Sequence, residues 1–173
     1  RHPKTQHLYP ILRNLKEYEM NLSANFTLKE LTRSDTATRL GLDNTPDEAT
    51  IENLKALCEN VLQPVREHFG KSVTVNSAYR SPESNAAVNG SKTSDHCLGR
   101  AADIEIQGVA NADLAQWIMD NLDYTQLILE FYTPGIPDSG WVHVSFDPDN
   151  LKKQELTAVK VAGKTQYLNG LVA

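Results

Sequence analysis

Cysteine is scarce in this chain, with Cys58 and Cys97 the two among 173 residues. Two cysteines leave one disulfide open but make no crosslinked framework. Long apolar runs are missing as well, and none approaches the ~20 residues needed to cross a bilayer. Basic charge is sparse: 17 Lys and Arg stand against 22 Asp and Glu, a net charge of -5 at pH 7. With no basic stripe, a nucleic-acid partner has no support. Residues 1–20 are polar and carry Pro3 and Pro10, unlike a secretory leader. The chain begins at Arg1 rather than Met, so localisation stays open, as does oligomeric state. Internal repeats and low-complexity segments are absent.

What remains is an ordinary globular composition, 40% hydrophobic and 23% charged. The length suits one domain with a sizeable core. Residues 1–22 read as an extension or linker, in which Leu8, Ile11, Leu12 and Leu15 have helical spacing. The domain proper is expected over 23–173. Thr27 and Glu30 form a capping-box pattern that opens a helix over 27–33. Leu40 to Asp47 is turn-rich. Thr50 to Phe69 carries a clear apolar stripe of Ile51, Leu54, Leu57, Cys58, Val61, Leu62 and Val65, with a kink expected at Pro64 and an end at Gly70. Cys58 on that stripe reads as a buried free thiol.

Val73 to Tyr79 reads as a strand, and Pro82 opens a short helix to about Val88. A polar loop over Gly90 to Gly99 leads to a strand at Ala101 to Ile106. A helix over Ala112 to Leu122 follows, then strands at Gln126 to Tyr132 and Trp141 to Phe146. A terminal hairpin turns around Gly163. Helices come mostly first and strands mostly later, which predicts an α+β fold.

The chain has five histidines, and two fall in its most motif-like segments. His96 and Asp103 sit in Ser94-Asp95-His96-Cys97-Leu98-Gly99-Arg100-Ala101-Ala102-Asp103, and His143 in Trp141-Val142-His143-Val144. Two imidazoles and one carboxylate suit a zinc ion that keeps a fourth position open. Asp103 follows small apolar residues on a strand, where a lone carboxylate is costly unless paired or metal-bound. Cys97 is left out of the site, because adjacent side chains on an extended segment point to opposite faces.

Ser94-x-His96-x-x-Gly99-x-Ala101-x-Asp103 followed by Trp141-x-His143 resembles the zinc-ligand pattern of the D-alanyl-D-alanine carboxypeptidases. Their relatives include D-Ala-D-Ala dipeptidases, phage L-alanyl-D-glutamate endolysins and the hedgehog signalling domain. Asn25 to Leu31, Ser77 to Ser81 and Gln126 to Glu130 fit the same series, so the resemblance covers roughly residues 23–150. It implies a hedgehog/DD-peptidase-like fold, an antiparallel sheet with helices packed on one side. It also implies a zinc peptidase acting on peptidoglycan stem peptides, by D-Ala-D-Ala carboxypeptidase or L-Ala-D-Glu endopeptidase cleavage. Glu130, ending the apolar run Leu127-Ile128-Leu129, is the expected general base. A close Glu-x-x-His is absent because Gly140 stands three before His143, and Asp138 is the alternative base. Arg80 is expected to clamp a substrate carboxylate or steady an oxyanion. Ser94 either contacts substrate or stabilises its loop. A zinc-stabilised binding module without catalysis is the competing reading, and a competent base is what separates the two.

Overall fold

The computed structural model describes residues 19–173, so the helical spacing read at Leu8 to Leu15 lies outside the described residues. The chain first forms a small hairpin of Asn21–Ser23 (β1) and Phe26–Thr27 (β2). Leu28–Thr32 (α1) follows at once, and the expected capping box closes its start. Glu30 N–H donates to Thr27 Oγ1 at 3.2 Å, and Thr27 N–H to the Glu30 carboxylate at 3.3 Å. Leu22 on β1 is buried in the same core as the later strands.

Asp35–Leu40 (α2) was not expected from the sequence. It buries one small side chain, Ala37, so no apolar periodicity announces it. Its signals are its ends: Ser34 Oγ accepts from Ala37 N–H, and Gly41 closes the helix in the left-handed region.

The long helix is Glu48–Leu57 (α3) continued by Gln63–Phe69 (α4), with a π-helical turn at Cys58–Leu62 between them. The irregularity expected at Pro64 is therefore taken up just before it. Gln63 N–H reaches back to Cys58 O, one residue beyond the α-helical partner. That wider turn restarts the ladder with Pro64 in the first turn of α4, where a missing N–H costs little. Gly70 then ends the helix as expected, at φ +63°.

The remaining elements are Thr74–Ser77 (β3), Pro82–Ala87 (α5), a 3₁₀ turn at Asp95–Leu98, Ala101–Glu105 (β4) and Asn111–Asn121 (α6). Gln126–Glu130 (β5), Trp141–Ser145 (β6), Gln154–Val161 (β7) and Lys164–Asn169 (β8) complete the chain. One six-stranded sheet runs β3-β4-β6-β5-β7-β8. The fold is α+β, but the sheet is mixed rather than antiparallel. β5 and β7 run parallel, while every other pairing is antiparallel. The correction has a simple cause: β6 turns back between β4 and β5, which leaves the outer side of β5 for β7. Hydrophobic alternation reports faces, not neighbours.

The register divides the sheet into two faces. Ala102 and Ile104, Val142 and Val144, and Leu127 and Leu129 share the buried face. They join one apolar cluster with Leu54, Leu57, Leu62, Leu114 and Ile118 from the helices. The alternate residues Asp103, His143, Ile128 and Glu130 share the other face. Cys58 is a buried free thiol whose pKa burial pushes well up. No helix among the described residues is long and apolar enough to cross a membrane.

Candidate metal centre

Asp103 and His143 are direct cross-strand partners, and Ile128 lies beside His143 on the next strand. Sheet register alone thus brings a carboxylate and an imidazole to one spot. His96 arrives from the 3₁₀ turn, which Ser94 and Gly99 close at its two ends. Ser94 Oγ accepts from His96 N–H at 3.2 Å, and Gly99 takes φ +71°. Thr50 backbone and side chain crowd the space where a Gly99 Cβ would stand. The turn is tied to the segment that follows β3 by Arg80 N–H donating to His96 O at 3.1 Å.

His143 Nδ1 stands 2.9 Å from Asp103 Oδ1, and His96 Nε2 stands 3.4 Å from the same oxygen. The ligand atoms of His96, Asp103 and His143 all lie within 4.8 Å of one another, and the three could hold a metal ion. Donors about 2.0–2.1 Å from a tetrahedral zinc stand about 3.3 Å apart, so the observed separations are of the right size. The donor chemistry fits too. His96 Nδ1 lies 2.7 Å from Ala78 O, to which it donates, and this fixes the tautomer that leaves Nε2 free as a ligand. His96 is 3% exposed, so its orientation is held by the core.

The three groups are electrostatically coupled. Burial by itself would raise the Asp103 carboxyl, but the His143 hydrogen bond and the adjoining His96 and His143 imidazoles overcome it and hold Asp103 well below the usual carboxylate range. Burial would lower His143, yet the Asp103 hydrogen bond and charge, helped by Glu130, push it up. A divalent cation placed among them would satisfy the same carboxylate.

An open pocket of about 670 Å³ surrounds this cluster. Arg80, Ser94, Glu130, Asp95 and Trp141 line it with the three ligand candidates. The sequence-predicted residues Arg80, Ser94, His96, Asp103, Glu130 and His143 therefore come together in one place. Asp138 does not. It is exposed and lines a separate depression with Thr74, Gln107 and Gly108.

Glu130 is half-buried at the end of β5, and burial followed by the nearby Asp103 charge raises its pKa. Trp141 Nε1–H lies close enough to favour the ionised carboxylate, but makes no hydrogen bond of normal geometry. The backbone around Glu130 is tight. Phe131 takes φ +55°, unusual for a bulky residue, and its N–H donates to Ala158 O at 2.9 Å. Gly140, at φ +64°, packs so closely that a Cβ there would fall 1.9 Å from Glu130 O. The position three before His143 is thus glycine by steric need, which explains the missing Glu-x-x-His.

Arg80 has a buried Nε without a hydrogen-bond partner, and no carboxylate pairs with it among the described residues. Cys97 stays outside the ligand group. The earlier reason was incorrect, since the segment is a 3₁₀ turn and not extended. Sequence reading missed Lys160, Thr165 and Tyr167, which reach the same pocket from the terminal hairpin. Their signal was present in the period of two along β7 and β8, but only the strand order shows which face they join. The carbonyl of Ala78 left no signal at all, because backbone partners are not written in side-chain identity.

Two imidazoles and a carboxylate thus converge, beside an open pocket with a half-buried glutamate, into a group that could hold a metal ion. The match to known families agrees. Residues 24–145 match the model of the Peptidase M15 family, and the chain belongs to that family. No curated protein matches the chain.

Proposed function

We propose that this chain is a zinc metallopeptidase that hydrolyses peptide bonds in the stem peptides of bacterial peptidoglycan. Membership of the M15 family supports peptidase chemistry, and the His96/Asp103/His143 cluster supports a metal. The peptidase domain is taken as residues 23–173, in a hedgehog/DD-peptidase-like arrangement, with 1–22 as an extension. The observation that carries the reading is Glu130, a carboxylate of raised pKa in the pocket of the ligand cluster. A binding module that only keeps metal would have no use for it.

Zinc in such a site supplies a Lewis acid that activates water and polarises a carbonyl. The residues of the chain do the rest. Glu130 takes the proton from the attacking water and returns it to the leaving amine, a dual task that suits a carboxyl with a raised pKa. Arg80 offers an unpaired guanidinium to a substrate carboxylate or to the developing oxyanion. Ser94 Oγ accepts from His96 N–H with one lone pair, which leaves its hydroxyl proton and a second lone pair to offer to substrate. Ala78 O holds His96 in the ligating tautomer.

Purified peptidoglycan incubated with the zinc-loaded protein is expected to yield new termini at D-Ala-D-Ala or L-Ala-D-Glu bonds, read by mass spectrometry. Chelator should abolish them and added zinc restore them. Unchanged peptidoglycan with a folded, zinc-loaded protein would overturn the proposal.

A further inference from the structure

The loop between β5 and β6, residues 131–140, carries the glycine that packs on the Glu130 carbonyl, and one side chain of α6 fastens it. Asn111, the first residue of α6, is 1% exposed. Its backbone N–H donates to Pro137 O at 3.0 Å. Its Nδ2 donates to Ser139 O at 3.0 Å, to Gly140 O at 3.2 Å and to Glu105 Oε1 at 3.1 Å. All three partners are acceptor oxygens, which sets the amide with its nitrogen toward them. Two hydrogens are therefore shared among three oxygens, while Asn111 Oδ1 is buried without a partner among the described residues. The donors of this side chain are its whole polar connection.

Glu105 links that connection to the ligand cluster. It follows Asp103 by two residues on β4 and so stands on the same face of the sheet. Its other oxygen accepts from Asn76 Nδ2 on β3 at 2.8 Å, so the carboxylate is held from both sides. At the far end, Gly140 directly precedes β6, whose Trp141 pairs with Glu130. A Cβ on Gly140 would fall 1.9 Å from Glu130 O, so a shift of Gly140 is felt by the Glu130 backbone at once.

The loop is also braced within itself. Ser139 Oγ accepts from Thr133 N–H at 2.6 Å and donates to Ile136 O at 2.7 Å. A loop tied in this way moves as a unit, and what fixes it to its surroundings decides where Gly140 sits. Phe131 N–H on Ala158 O holds one end against β7. Asn111 holds the other end against α6 and β4.

We propose that Asn111 is a positioning residue for the reaction: by pinning Ser139 and Gly140 to Glu105, it sets the place of Glu130 relative to the metal-ligand strand β4. The inference rests on the peptidase reading above, with Glu130 as the base. A displacement of about 1 Å between a catalytic group and its target can cost about 100-fold in rate, so a side chain that touches no substrate can still control turnover.

The test compares zinc-loaded full-length wild type with Asn111→Ala, which removes both donors, and with the milder Asn111→Ser, which keeps one. Hydrogen exchange read by mass spectrometry should speed up over residues 130–141 in Asn111→Ala, with β4 and α3 as protected as in wild type. On stem peptides, kcat per folded chain should fall about 10-fold or more, with KM within about twofold and zinc content unchanged. Asn111→Ser should fall between the two. Unchanged exchange over 130–141 would overturn the tie, and faster exchange with unchanged kcat would reduce Asn111 to a structural residue and overturn its positioning role. A loss confined to KM, or a loss of zinc, would overturn it as well. Faster exchange in the variants of a wild type that cleaves no stem peptide would support the tie and overturn the stem-peptide reading instead.

Discussion

Replacing Gly140 by alanine probes the corner that holds Glu130. The new Cβ would stand 1.9 Å from Glu130 O and 2.7 Å from the Phe131 carbonyl carbon, at φ +64°. Those neighbours are backbone, so they cannot swing aside as a flexible side chain would. The left-handed conformation costs an alanine about 1–2 kcal/mol. Relieving the overlap adds about 1–3 kcal/mol. Together these lower Tm by roughly 5–20 °C in a domain of this size. Gly163 supplies the control, because it has φ +77° and open space around its Cβ position. Gly163→Ala should show the conformational cost alone, with the gain from a less flexible unfolded chain common to both variants. Thermal unfolding by circular dichroism of the two variants isolates the steric part. The Gly140→Ala loss should exceed the Gly163→Ala loss by about 1 kcal/mol or more. Because relief must move the Glu130 backbone, the same variant should lose turnover while keeping its metal. Equal Tm losses in the two variants would refute the close approach and the reasoning built on it.

Three further outcomes are expected. His143→Ala should lose bound zinc, since only one imidazole and Asp103 remain of the ligand group; undiminished zinc by metal analysis would remove His143 from the site. Arg80→Lys keeps the charge but loses the planar fork, so kcat/KM should fall roughly 10-fold with zinc content intact. A loss confined to KM would mark ground-state binding, a loss in kcat oxyanion stabilisation, and unchanged kinetics a bystander. Metal-free Glu130→Gln should gain stability over wild type as pH rises. Burial and the Asp103 charge raise the Glu130 pKa in the fold, so its favourable contribution is full below the unfolded value of about 4.3 and is lost as pH climbs through the folded one. The Tm difference should therefore widen from pH 4 to pH 7; a constant difference would contradict a desolvated carboxylate.

α3, α4, α6 and most strands of the main sheet were legible from their apolar periods, and α1 and α5 from the capping box at Thr27 and from Pro82. The candidate trio His96, Asp103 and His143 was legible from its residue types together with the resemblance of the surrounding motifs, and the structure brings the three together. α2 was missed because a helix with one buried alanine carries no stripe. The parallel β5–β7 pair was missed because pairing partners depend on chain return, not on local pattern. That same strand order decides the pocket. It seats Lys160 and Tyr167 in the pocket that Arg80 also lines, while Asp138, in the loop between β5 and β6, lines another depression. Gly140 was read only as an absent glutamate. The structure gives it a reason, the approach of the Glu130 carbonyl.

The most direct test of the central claim is the turnover of Glu130→Gln on peptidoglycan stem peptides, at a measured zinc content of one ion per chain. The amide keeps the shape of the side chain and removes its proton-accepting charge. Zinc binding should persist while kcat falls on the order of 100-fold or more. Near wild-type turnover in the zinc-loaded variant would contradict the account.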